Sequence, residues 1–126
     1  MKRETVQTDQ APAAIGPYSQ AVKAGDMVFA SGQIPLNPST GEMVDGDIRD
    51  QTRQCLKNLQ AVLEAAGSGL GKVVKTTVFI VRMEDFPLVN EAYGKFFPDA
   101  PPARACVEVS ALPKGAQVEV EAVALC

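Results

Sequence analysis

Histidine and tryptophan are both missing from these 126 residues, and aromatic residues make up only 6%. The first absence removes every device built on imidazole: Ser-His and Cys-His nucleophile pairs, and His-ligated zinc. The second leaves little stacking surface for a sugar. No run of eighteen apolar residues is present to span a bilayer. Lys and Arg do not cluster. With twelve basic against fifteen acidic residues and a net charge of −3, the chain lacks the electrostatic footprint of a nucleic-acid binder. The cysteines, Cys55, Cys106 and Cys126, are odd in number and unpatterned, and the start Met1-Lys2-Arg3-Glu4-Thr5 leads into no apolar stretch suited to a signal peptide. A reducing cytoplasm with free thiols is the expectation. At 46% hydrophobic, the composition fits one globular domain over residues 1–126, with no repeat and no long linker.

What is present alternates between the two regular periods. Ser19–Ala24 and Met27–Ser31 read as strands reversing at Gly25-Asp26. The segment Gly32 to Gly41, with two prolines and two glycines, reads as loop and runs past Gly46. From Asp47 the spacing turns helical: Ile48, Thr52, Cys55, Leu59, Val62 and Ala66 share one face, with Asp47 as N-cap and Gly67 just past the end. Val73–Val81 is a strand with two apolar faces, Val74/Thr76/Val78/Ile80 and Val73/Lys75/Thr77/Phe79/Val81. Glu84, Asp85 and Pro87 open a second helix with a stripe of Phe86, Val89, Tyr93 and Phe96 or Phe97, stopped by Pro98, Pro101 and Pro102. Strands Ala103–Ser110 and Gln117–Leu125 complete the order ββ, α, β, α, ββ. Two helices cover only one face of such a sheet, so the open face predicts a homo-oligomer.

Two tempting motifs fail. Gly67-Ser68-Gly69-Leu70-Gly71-Lys72 follows a helix where a phosphate-binding fingerprint needs a strand, and Val73 stands where a Ser or Thr must bind magnesium. Glu119 and Glu121 lie roughly 7 Å apart along their strand at about 3.3 Å per residue, near the spacing of inverting glycosidases. Without tryptophan and with little room for a sugar cleft, a solvated or salt-bridged strand face is the better account. Ser31, lacking a histidine, reads as a strand-end hydroxyl, and Cys55 and Cys106 as packing, since nothing lowers a thiol pKa from about 8.5.

Arg104 is different. It sits inside Ala103-Arg104-Ala105-Cys106-Val107-Glu108-Val109, a stretch patterned as a half-buried strand, and burying a guanidinium is costly without an anion. The carboxylates of Val118-Glu119-Val120-Glu121-Ala122 stand on one face of the following strand. The expectation is a fixed cation and a candidate base from neighbouring segments, serving either as an ion pair or as a site for an external acid.

The blocks Ile15-Gly16-Pro17-Tyr18-Ser19-Gln20-Ala21, Phe29-Ala30-Ser31-Gly32-Gln33-Ile34-Pro35, Phe86-Pro87-Leu88-Val89-Asn90-Glu91-Ala92-Tyr93 and Pro102 to Pro113, with Val118 to Ala122, resemble the RidA/YjgF family of enamine/imine deaminases. The glycine-rich turn Gly67, Gly69, Gly71 departs from its common pattern. The resemblance implies a chorismate-mutase-like, ferredoxin-like α+β subunit. It has a sheet of about six strands with two helices on one face, assembled into a homotrimer with clefts between subunits. It implies hydrolysis of small 2-imino acids, or their 2-aminoacrylate-type enamine tautomers, released by pyridoxal-phosphate enzymes, to 2-oxo acids and ammonia, without metal or cofactor. Arg104 would hold the substrate carboxylate through a two-pronged contact that lysine cannot reproduce. Glu119, favoured over Glu121, would steer and deprotonate water. Tyr18 would form an aromatic wall beside Arg104 of a neighbouring subunit. Ser31, Gly32, Asn90 and the main chain of Cys106 would line the pocket, with Gly32 admitting the ligand closely. Two other classes remain open on residues alone: a non-catalytic module that binds small carboxylates, and the RNA-directed activities attached to some relatives, which the charge disfavours.

Overall fold

The computed structural model describes residues 2–126. In chain order it contains β1 (Arg3–Val6), β2 (Ala21–Ala24), β3 (Met27–Gln33), α1 (Ile48–Ala65), β4 (Val73–Ile80), α2 (Phe86–Gly94), β5 (Ala103–Glu108) and β6 (Val118–Leu125). The strands form one mixed sheet in the order β1-β2-β3-β6-β4-β5. Every neighbouring pair is antiparallel except β4 and β5, which run parallel because α2 carries the chain back between them. β1 had no counterpart in the sequence pattern. Three of its four residues are exposed, so it shows no alternation, and it is held by its register with β2.

The helix ends follow from local chemistry. The Asp47 carboxylate accepts from the backbone N–H groups of Arg49 and Asp50, and the Asp50 carboxylate accepts from Asp47 N–H, a reciprocal cap. At the other end Gly67 takes a left-handed φ of 82°. Its N–H donates to Glu64 and that of Ser68 to Leu63, which closes α1. All six residues of the predicted α1 stripe are buried, joined by Leu56 and Leu63 and by the polar Asn58. Asn58 donates to the carbonyls of Ile34 and Leu36 and so ties the loop after β3 to the helix.

Both helices lie on one face. Cys55 of α1 donates to the Val118 carbonyl, and the Tyr93 hydroxyl of α2 meets Thr76 Oγ1 at 2.7 Å. Between them and the sheet sits the core, which includes Val28, Val78, Ile80, Val118 and Val120. An irregularity between Val73 and Lys75 resets the alternation of β4, so Val73 rather than the predicted Val74 joins this buried face. The opposite face has no helix over it. There the large apolar side chains Phe29 and Val107 are 48% and 41% exposed. Among the described residues no helix is long and apolar enough to cross a membrane.

Candidate active site

The helix-free face ends in a cavity of about 500 Å³. Its wall includes Glu119 and Glu121 from β6, Ser31 and Gly32 from β3, and Tyr18 from the segment before β2. β6 places both carboxylates there by strict alternation, since Val118, Val120 and Ala122 take the core side. In β3 the register against β6 shifts between Ala30 and Gln33, so Ser31 and Gly32 lie in an irregular stretch. The consequence is specific for Gly32. A Cβ built on it would come within 2.6 Å of Glu119 Oε2. The absent side chain therefore makes room for Glu119, where the sequence pointed to close approach of a ligand.

Glu119 is half-buried, and that burial, reinforced by Glu121, raises its carboxyl above the usual carboxylate range. No hydrogen bond to this carboxylate among the described residues opposes the shift. Ser31 is committed elsewhere: its hydroxyl donates to the Ser19 carbonyl at 2.6 Å. Tyr18, expected to be an aromatic wall, faces the cavity and is 52% exposed. Two further lining residues have no role assigned from the sequence, although Ile15 opens the first of its family-like blocks. Ile15 is 72% exposed at the rim, and Lys114 adopts a left-handed φ of 57° that a lysine rarely takes.

Arg104, Asn90 and Cys106 form a second cluster at the open edge of the sheet. Expected in a half-buried strand, Arg104 is instead exposed, because β5 has a neighbour on one side only. Its guanidinium carbon sits 4.8 Å from the Tyr93 ring centroid and 5.3 Å from that of Phe86, and Nη1 donates to Asn90 Oδ1 at 2.7 Å. These partners fix its direction without cancelling its charge. Among the described residues no carboxylate pairs with it within 4.0 Å. Cys106 shares its face, and burial raises that thiol while Arg104 opposes the rise, so it is a poor nucleophile.

The two clusters do not meet within one chain. β4 separates β5 from β6, whereas the sequence suggested neighbouring segments. Arg104 stands opposite Thr76 and shares the helix side with it; Glu119 stands opposite Phe79 on the other side. Two strand spacings and three residues of offset put the two backbones roughly 14 Å apart, with the sheet itself between the side chains. A substrate of a few heavy atoms cannot touch both in one copy.

Residues 8–126 match the model of the family described as Endoribonuclease L-PSP. A RutC family protein of Pyrococcus horikoshii is 54% identical over 122 residues, 97% of each chain. The 2-iminobutanoate/2-iminopropanoate deaminase of Escherichia coli K12 is 51% identical over 125 residues, again 97% of each. Among solved structures, TdcF of E. coli with bound serine is 46% identical and superposes with a TM-score of 0.93, covering 98% of both chains. Identity at this level over nearly the full length, together with the shared fold, means that the chain belongs to the YjgF/RidA family, whose model carries the Endoribonuclease L-PSP description.

Proposed function

We propose that the protein is an imine deaminase, hydrolysing 2-imino acids and their enamine tautomers to 2-oxo acids and ammonia in a cleft between copies of the chain. The observation that carries this reading is the separation of Arg104 from Glu119 across the sheet. An uncompensated cation and an unpaired carboxyl, each accessible and each on its own face, become one site when the edge of one copy meets the open face of the next. The exposed Phe29 and Val107 on the open face offer apolar side chains for that contact. A homotrimer closes such a heterologous contact with three equivalent clefts.

In that cleft the N–H donors of the Arg104 guanidinium left free by Asn90 grip the substrate carboxylate in two parallel bonds, while Asn90 holds the arginine. Tyr18 of the adjoining copy walls the ligand. Glu119 takes a proton from water as the oxygen adds to the C=N carbon of the protonated imine, whose C=N π electrons move to nitrogen, giving a neutral carbinolamine. Glu119 then hands that proton to the nitrogen, and as the C–N bond breaks and the C=O bond forms, ammonia leaves and the hydroxyl proton passes to the Glu119 carboxylate and on to solvent. A carboxyl raised above its usual range suits both halves of this exchange. The chemistry asks for no cofactor, because a carboxylate-conjugated imine is already electrophilic and needs chiefly orientation. The relative named as a 2-iminobutanoate/2-iminopropanoate deaminase supports the substrate class, and the serine-bound neighbour supports a site for a small amino-acid-like ligand. RNA is disfavoured as a substrate, since Glu119 and Glu121 would repel phosphates.

The test generates 2-iminobutyrate or 2-iminopropionate with a pyridoxal-phosphate dehydratase and follows its decay spectroscopically. Wild-type protein should accelerate decay. Arg104→Ala should leave the uncatalysed rate, and Arg104→Lys should keep the charge yet lose most activity. Equal decay with wild type and Arg104→Ala overturns the reading.

A further inference from the structure

One wall of the Glu119 cavity has no regular structure to support it. Residues 12–18 form neither strand nor helix, yet they contribute Pro12, Ile15 and Tyr18 to the lining. Within the segment, Tyr18 N–H donates to Gly16 O at 2.8 Å, a local turn that fixes its shape but not its place. What places it is a residue behind it. Gln20 is 3% exposed, and its carboxamide is spent entirely on the start of the wall and the chain just before it. Its Oε1 accepts from Thr8 N–H at 2.7 Å, and its Nε2 faces the carbonyls of Pro12 at 2.8 Å, Thr8 at 3.1 Å and Ala11 at 3.4 Å. Two amide protons serve three acceptors, so the Ala11 contact is the weakest of the set. The far end of the wall is held separately. The Ser31 hydroxyl donates to Ser19 O and Ser31 N–H to Gln20 O, so the same strand that seats Gly32 against Glu119 also anchors this end.

We propose that Gln20 is a positioning residue: its buried carboxamide holds the strap of residues 12–18, and with it Tyr18 and Ile15, at a fixed distance from Glu119. A glutamine does this where a charged or apolar residue of similar size cannot. The site needs one acceptor and two donors on a single planar group, buried, and without a net charge. Tyr18 touches the ligand under the functional reading given above; Gln20 also borders the cavity, but its carboxamide is committed to Thr8, Ala11 and Pro12, so it acts through the strap.

Gln20→Glu keeps the Thr8 acceptor and turns the donor end into oxygen facing three carbonyls. In the imine assay it should raise KM about tenfold, the worth of a lost preformed contact, with kcat moved far less. A merely structural role predicts the reverse split: fewer folded molecules lower apparent kcat and leave KM alone. In a Tyr93→Phe background, Tyr18 is the sole tyrosine. There Gln20→Glu should increase acrylamide quenching of its fluorescence. On the wild-type protein, hydrogen exchange should find the Thr8 amide protected although it lies in no strand or helix, while the Ile15 amide exchanges freely. Unchanged KM and quenching in folded Gln20→Glu overturn the proposal, as does rapid exchange at Thr8. Quenching and exchange do not depend on turnover, so absence of deaminase activity in wild type would defeat the functional reading and leave Gln20 to be judged on its own.

Discussion

The cavity beside Glu119 and the edge beside Arg104 solve opposite electrostatic problems. In the cavity a carboxyl is half-buried, pressed against Gly32 and next to a like charge on Glu121, with no donor among the described residues to relieve it. At the edge a guanidinium stays in solvent, aligned by two aromatic rings and one amide oxygen. The first arrangement costs stability to keep a proton exchangeable; the second keeps a cation oriented at little cost. Substitutions in the two regions should therefore differ in sign for stability even where both abolish activity.

Glu119→Gln carries the largest expected effect. Removing the acid/base group should lower kcat about 10²- to 10⁴-fold while 2-oxobutanoate, a carboxylate product analogue, still binds in calorimetry. Because the folded-state carboxyl is raised, its contribution to stability is present below roughly pH 4 and is lost as pH rises through the shifted value. Glu119→Gln should accordingly melt above wild type at pH 7, with the gap closing towards pH 4. Arg104→Ala should show no such gain. A lower melting temperature for Glu119→Gln at pH 7 breaks the contrast.

Gly32→Ala comes next. The added methyl at 2.6 Å from Oε2 must push the Glu119 side chain aside, lowering kcat/KM about 10- to 100-fold by misplacing the base. Wild-type rates from this variant would mean that Glu119 has room to spare.

The smallest effect is a displacement of the pH profile. Glu121 stands on the same face of β6 and adds to the rise of Glu119; sharing the cavity from other elements are Lys114 and Tyr18, while on β4 Phe79 stands opposite Glu119 and Thr77 opposite Glu121. Glu121→Gln leaves these in place and should shift the acid limb of kcat/KM to lower pH. An unmoved limb would remove Glu121 from the account.

Much of the scaffold was legible because its signals are local. Asp47 with Asp50, Gly67, the α1 stripe and the turn at Gly25-Asp26 each lie within a few residues of what they determine. The strand order is not of that kind. β6 inserts between β3 and β4, a long-range choice, and it turned two adjacent-looking segments into opposite faces of a sheet. The residue types of the site were recognisable from their blocks, but not the exposure of Arg104, the contact between Gly32 and Glu119, or the left-handed Lys114, which depend on neighbours far along the chain. Buried Asn58 and Gln20 were hidden by polar side chains whose partners are loop carbonyls.

The central claim is that Arg104 of one copy works with Glu119 of another, and mixing two dead variants tests it most directly. Arg104→Ala and Glu119→Gln, inactive alone, are co-expressed with different tags and the mixed assemblies isolated. In a ring of equal random mixing, about a quarter of interfaces join an intact Arg104 to an intact Glu119, so activity should return to about that fraction of wild type. Mixed assemblies of verified composition that remain inactive would contradict the account.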